Sequence, residues 1–208
     1  MNRLTVIDNF YNNPEYVATL AEFQQGGCGG IYSKRSKPLD LINKSFHDEF
    51  SSAICNILQL DRSRVDVYSF LSKQTFNEES SGGYIHIDGR NSSTGQVPNF
   101  NSYSNLYGGT IFLSAEYDRS SGINFYDDIT NETPEQKFNC AINSLYNVRD
   151  NSNLNELKAE YDSRFELSTS VGNVYNRLVV WKCGQPHTST ITKKQGVKLT
   201  HNFYISMV

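Results

Sequence analysis

The sequence predicts a mainly β fold with flanking helices. Three observations carry that expectation. Aromatic residues make up 12% of the chain, with 13 Tyr and 12 Phe, side chains that favour a pleated, half-buried surface. From Arg64 onwards the chain breaks into six short runs with β-type patterning, separated by clusters of Gly, Ser and Asn. Helical periodicity is concentrated in the first sixty residues. Many short strands with turns between them form a sandwich, a barrel or a jelly roll. A length of 208 residues suits one domain with a sizeable core. Residues 1–62 are expected to be helical support. Residues 63–208 form the β core, interrupted by an insertion over about 127–165.

The elements follow in order. LTVIDNF (4–10) alternates and reads as a first strand. NNPEYVATLAEFQQ (12–25) reads as a helix capped by Asn13, with Pro14 at its first position and Gly26-Gly27 ending it. A second helix is expected from Asn43 to about Leu58, where Phe46, Phe50, Ile54 and Ile57 recur at helical spacing. Strands are expected at 65–75, 83–87, 106–115, 122–126, 173–181 and 196–208. The polar stretch NSSTGQVPNFNSYSN (91–105) reads as a loop. Within the insertion, NSNLNELKAEYDSRF reads as a helix capped near Asn151 or Ser152.

Bulk properties bound the function. Charged residues are 20% and the net charge is −3, so charge alone gives no pull towards nucleic acid, although a local basic patch stays open. Cys28, Cys55, Cys140 and Cys183 form no CxxC pair and no zinc-like spacing, which reads as reduced thiols in a cytoplasmic protein. MNRLTVIDNFYNNP lacks the apolar run of a signal peptide, and no window reaches the length of a membrane span.

The chemistry centres on GGYIHIDGR, residues 82–90. Residues i and i+2 of a strand share a face, so His86 and Asp88 aim together. His187 follows the apolar run RLVVWKCGQPHTS, 99 residues after Asp88. It meets the first pair only where the sheet closes or folds back, as in a jelly roll. Two imidazoles and one carboxylate on one side of a metal leave open positions opposite, an arrangement suited to non-haem Fe(II). Eleven residues further on, Lys198 and Thr200 share a face of the last strand. An ammonium beside a hydroxyl can hold a carboxylate by charge-assisted hydrogen bonds. Each element alone has a bland reading: a polar strand end, a hydrogen-bonded histidine, a lysine snorkelling to the surface.

Taken in order, His86-Ile87-Asp88, His187 and Lys198-Leu199-Thr200 resemble the Fe(II)- and 2-oxoglutarate-dependent dioxygenases. The resemblance spans about residues 65–208, includes Gly108-Gly109-Thr110, and is nearest the prolyl-4-hydroxylase-like branch, where a lysine binds the cosubstrate. It implies a double-stranded β-helix (a jelly roll, cupin-like). It implies His86, Asp88 and His187 as Fe(II) ligands and Lys198, assisted by Thr200, on the distal carboxylate of 2-oxoglutarate. Tyr84 would donate a hydrogen bond to the cosubstrate or pack in the core. Thr110 and Phe112 would line the cosubstrate pocket, with ordinary core the favoured reading for Phe112. The implied reaction consumes O2 and 2-oxoglutarate, releases succinate and CO2, and hydroxylates a C–H bond of a small molecule or protein side chain. The 91–105 loop and the insertion would read the substrate.

Two other readings keep the scaffold. One is a cupin-like metalloenzyme without 2-oxoglutarate, although cupins bring three histidines where two fit here. The other is a non-catalytic jelly-roll binding protein. Of the remaining candidates, His47 beside Asp48 and Glu49 is expected to be solvated, and His201 to face away from Lys198. Arg90 is expected in a solvated loop. Arg177 would reach the cosubstrate or substrate, or instead form an ion pair or sit at an edge.

Overall fold

The computed structural model describes residues 4–20, 33–76, 85, 105–114, 121–130, 159–160, 162–190 and 196–208. Strand β1 (Leu4–Ile7) leads into helix α1 (Pro14–Thr19), where the Asn13 side chain accepts from the Tyr16 N–H at 3.0 Å and Pro14 opens the first turn. Strand β2 (Ser33–Arg35) and the single turn α2 (Leu39–Ile42) precede helix α3 (Lys44–Leu58). Asn43 caps α3 through Phe46 N at 3.1 Å, and Gln59 ends it in the left-handed region at φ 56°.

The remaining elements are strands: β3 (Val65–Phe76), β4 (Asn105–Phe112), β5 (Gly122–Asp128), β6 (Phe165–Gly172), β7 (Leu178–Lys182), β8 (His187–Ser189) and β9 (Gly196–Met207). They form a six-stranded antiparallel sheet, ordered β1-β7-β4-β9-β3-β2, and a three-stranded antiparallel sheet, ordered β6-β5-β8. Strand β9 is held along its length, pairing with β3 from Gly196 to Met207 and with β4 from Thr200 to Ser206.

Two cores follow from alternation on these strands. Leu71, Ile111, Leu178, Val180, Phe203 and Ile205 pack under Phe50, Ile54 and Leu58 of α3. Phe112, Ile123, Phe125, Val171, Val179 and Trp181 form a smaller core that brings together the two sheets. Gly109 is required on the helix side: a Cβ there would lie 2.1 Å from Cζ of Phe203, whose ring is fully buried.

Several expectations are corrected. The strand expected at 173–181 begins only at Leu178, because Asn176 turns the chain at φ 60°. There its side chain accepts from Tyr11 N and donates to Tyr11 O, both at 2.8 Å, tying this turn to the β1–α1 connection. Strands β2 and β6 and helix α2 were not expected. His47 is buried, not solvated, at 6% exposure. The buried stripe of α3 runs His47, Phe50, Ser51, Ile54, Cys55, Leu58, a regular i, i+3, i+4, i+7 series that carries Asp48 and Glu49 to the solvent side. Ile57, expected inside, is exposed. Gly26-Gly27, most of the 83–87 strand, the 91–104 loop and most of the 127–165 insertion lie outside the described residues. Ser163 N donates to Ala159 O at 3.0 Å, one helical turn within the segment expected as a helix, the rest of which lies outside the described residues. Among the described residues, no helix is long and apolar enough to cross a membrane.

Candidate active site

The apolar strand β7 runs into a four-residue turn, where Gly184 takes a left-handed φ of 93°. The turn delivers His187 to the start of β8, opposite Phe125 of β5. The imidazole is 5% exposed, lying 4.7 Å from the Trp181 ring and 6.1 Å from the Phe125 ring. Its Nδ1 is 2.9 Å from the carbonyl oxygen of Gln185. A carbonyl only accepts, so Nδ1 carries the proton and Nε2 is the nitrogen with a lone pair in the neutral ring. That is the tautomer a metal-ligating histidine needs, with the backbone fixing its orientation. Gln185 is itself tied down: its Nε2 donates to Tyr126 O at 2.6 Å, and Tyr126 N donates to Pro186 O at 2.9 Å.

Lys198 lies on the face of β9 that looks towards the smaller core. It is 3% exposed. Its Nζ donates to Ser189 Oγ at 2.7 Å and approaches Gly122 O at 3.5 Å, and it stands 5.3 Å from the centre of the Phe112 ring. No acidic side chain is paired with it among the described residues. Burial pushes its pKa down to about 8. Ser189 is two residues beyond His187 on β8, so their side chains share a face about 6–7 Å apart along the strand. A five-carbon dicarboxylate has a comparable length. Gly122 is held close by its neighbours: a Cβ would lie 2.0 Å from Val171 O, and its N–H donates to Thr190 Oγ1.

Thr200 and Thr110 occupy the same face. Thr200 is the cross-strand partner of Phe112, and Thr110 that of Asn202. Thr110 Oγ1 donates to Asn202 Oδ1 at 2.8 Å, and Asn202 Nδ2 donates to Thr200 Oγ1 at 3.0 Å. Phe112 is a core residue whose ring also faces the lysine.

The structure therefore brings together His187, Lys198, Thr200 and Thr110. His86, Asp88, Tyr84 and Arg90 lie outside the described residues, and among the described residues no group of three metal-ligating side chains forms. Arg177 does not join this cluster. It makes a two-pronged ion pair with Asp8, Nε–Oδ1 at 2.5 Å and Nη2–Oδ2 at 2.9 Å, which holds the Asp8 carboxyl below its usual range. His201 faces the helices, as alternation requires. Its Nδ1 meets the Tyr11 hydroxyl at 2.5 Å, its ring centre lies 4.4 Å from that of Phe50, and burial lowers its pKa to about 3.

Four contributors escaped the sequence reading: Gln185, Ser189, Trp181 and Asn202. Alternation placed Ser189 beside His187 and Asn202 beside Thr200, but nothing separated them from ordinary polar strand residues. Trp181 Nε1 is buried beside His187 and donates no hydrogen bond among the described residues. A polar group bound beside His187 would satisfy such a donor.

No family model matches the sequence, and no curated protein matches it. The fold does match solved structures. HygX from Streptomyces hygroscopicus with nickel and 2-oxoglutarate bound aligns with a TM-score of 0.63 at 12% identity, covering 98% of this chain and 82% of that one. A Trichoplax adhaerens prolyl hydroxylase in complex with a hypoxia inducible factor peptide fragment aligns at 0.53 and 10% identity, covering 99% and 84%. A 2OG-Fe(II) oxygenase family oxidoreductase from Burkholderia pseudomallei aligns at 0.52 and 8% identity, covering 98% and 84%. The chain has the jelly-roll fold of these oxygenase structures.

Proposed function

We propose that this chain is an Fe(II)- and 2-oxoglutarate-dependent oxygenase that hydroxylates a C–H bond. The observation that carries the reading is Lys198. A buried ammonium with no acidic partner among the described residues is costly unless an anion joins it. This one stands a strand step from a histidine whose tautomer suits a metal. Fe(II), when bound, would activate O2 against 2-oxoglutarate, giving succinate and CO2. His187 fits the metal through Nε2, with His86 and Asp88 as the other protein ligands. Lys198 pairs with the distal carboxylate, Thr200 donates to it, and Tyr84 adds a hydrogen bond. Phe112, Phe125 and Trp181 keep water away, which strengthens the Lys198–carboxylate pairing.

The fold neighbours support this reading: HygX carries nickel and 2-oxoglutarate, and also hygromycin B, in its structures. A small molecule and a protein side chain both remain substrate classes for this chain. We further propose a single cytoplasmic domain whose 91–105 loop and 127–165 insertion read the substrate. The test is succinate formation from 2-oxoglutarate with Fe(II) and O2. Wild type should turn over, and His187→Ala should not; equal turnover in both removes the assignment.

A further inference from the structure

We propose that Asn202 is a positioning residue that fixes the Thr200 hydroxyl as a donor to the bound dicarboxylate. This rests on the reading of Lys198 and Thr200 given above. A threonine hydroxyl can rotate among staggered positions and can donate or accept. Here Asn202 removes that freedom. Its Nδ2 carries only donors, so at 3.0 Å Thr200 Oγ1 must accept, and the Thr200 proton is turned away from Asn202. The amide is held in that sense by Thr110, whose hydroxyl donates to Oδ1 at 2.8 Å.

The result is a one-way chain across two strands: Thr110 donates to Asn202, Asn202 donates to Thr200, and Thr200 has its proton left for a further acceptor. Thr110 and Thr200 are both buried, so that last donor needs a partner. Lys198 lies two residues before Thr200 on the same face. An anion paired with the ammonium is thus the acceptor within reach. Donors aligned in series also polarise one another, and the gain falls on the final bond, where the charge is.

The test measures dissociation constants by calorimetry on Ni(II)-loaded full-length protein for 2-oxoglutarate and for 2-oxobutyrate, which lacks the distal carboxylate. Thr200→Val should weaken 2-oxoglutarate by roughly tenfold, the loss of a hydrogen bond to a charged group. Asn202→Leu should weaken it by about three- to tenfold, leave 2-oxobutyrate unchanged, and cost nothing further in the Thr200→Val background. Asn202→Asp, equal in size, keeps the fold if Leu does not. It turns an acceptor towards Thr200, reverses the hydroxyl and should weaken 2-oxoglutarate selectively. Equal losses for both acids, or an Asn202→Leu effect undiminished in the Thr200→Val background, overturns the proposal. Wild type and Lys198→Met separate the two levels. If Lys198→Met keeps the preference for 2-oxoglutarate, the underlying reading fails. If it loses the preference while Asn202→Leu and Asn202→Asp keep it at the wild-type ratio, only the role of Asn202 fails.

Discussion

Replacing Lys198 by Met should change stability and ligand binding in opposite directions. Met is close to Lys in volume and fills the same space against Phe112 without a charge. The lowering of the Lys198 pKa from 10.5 to about 8 corresponds to about 3 kcal/mol of disfavoured charging in the ligand-free protein. Against that stands the bond to Ser189, whose loss costs about 1 kcal/mol. The ligand-free variant should therefore gain about 2 kcal/mol, or roughly 4–8 °C in Tm for a chain of this size. In the same variant the proposed pairing with 2-oxoglutarate is lost, and affinity should drop by at least about a hundredfold, as for truncating one partner of a buried charge pair. Urea unfolding and calorimetry read the two effects on one preparation. A variant that is less stable than wild type and still prefers 2-oxoglutarate over 2-oxobutyrate would refute the reasoning, because Lys198 would then be a structural cation already satisfied by the fold.

Three further outcomes are expected. On the proposed pairing of Lys198 with the distal carboxylate, the protonated ammonium binds; its ligand-free pKa is about 8, so 2-oxoglutarate affinity should be flat below pH 8 and fall by up to about tenfold per pH unit above it; calorimetry at pH 7, 8 and 9, with 2-oxobutyrate as the flat control, checks this. His201 and His47 are both held neutral by burial, so their contribution to stability is complete above the unfolded histidine value of 6.5 and is lost as pH falls below it, continuing towards about 3 for His201. The His201 imidazole contributes a slope of about 1.4 kcal/mol per pH unit in that window, and His201→Gln should flatten the urea-derived slope between pH 6.5 and 5 by about one proton. Gly109→Ala should destabilise by about 1–3 kcal/mol through its clash with Phe203, and Phe203→Leu should relieve part of that cost in the double variant, again by urea unfolding.

What the sequence made legible was what local pattern encodes. Alternation in 65–75 and 196–208 located β3 and β9, and the Asn13 and Asn43 caps located two helix starts. Strand β6 stayed hidden because five consecutive residues, 166–170, are exposed on both faces, so no period of two was written into FELSTSVG. Strand β2 is a three-residue polar edge beside β3. His47 was misjudged from its acidic neighbours in sequence, although its neighbours on the helix are Phe50, Ser51 and Ile54. The site divides the same way. His187, Lys198 and Thr200 were singled out as candidates by residue type and order. Gln185, Ser189 and Asn202 act through hydrogen bonds to partners chosen by tertiary contact, and amides and hydroxyls on strands are too common for spacing to single them out.

Strand β9 joins these levels. Its even-numbered residues Lys198, Thr200 and Asn202 face the space between the sheets. Its odd-numbered residues Leu199, His201, Phe203 and Ile205 face α3. A slip of one residue would turn His201 and Phe203 towards the smaller core and the lysine into the helix-side core. The helix-side contacts prevent it. Phe203 fits only over Gly109, and His201 fits only where the Tyr11 hydroxyl and the Phe50 ring meet it. Packing on one face of the strand thus fixes the register of the candidate site on the other. Gly109 and Tyr11, which lie on the side away from Lys198, should accordingly affect cosubstrate binding through register before they affect it through contact.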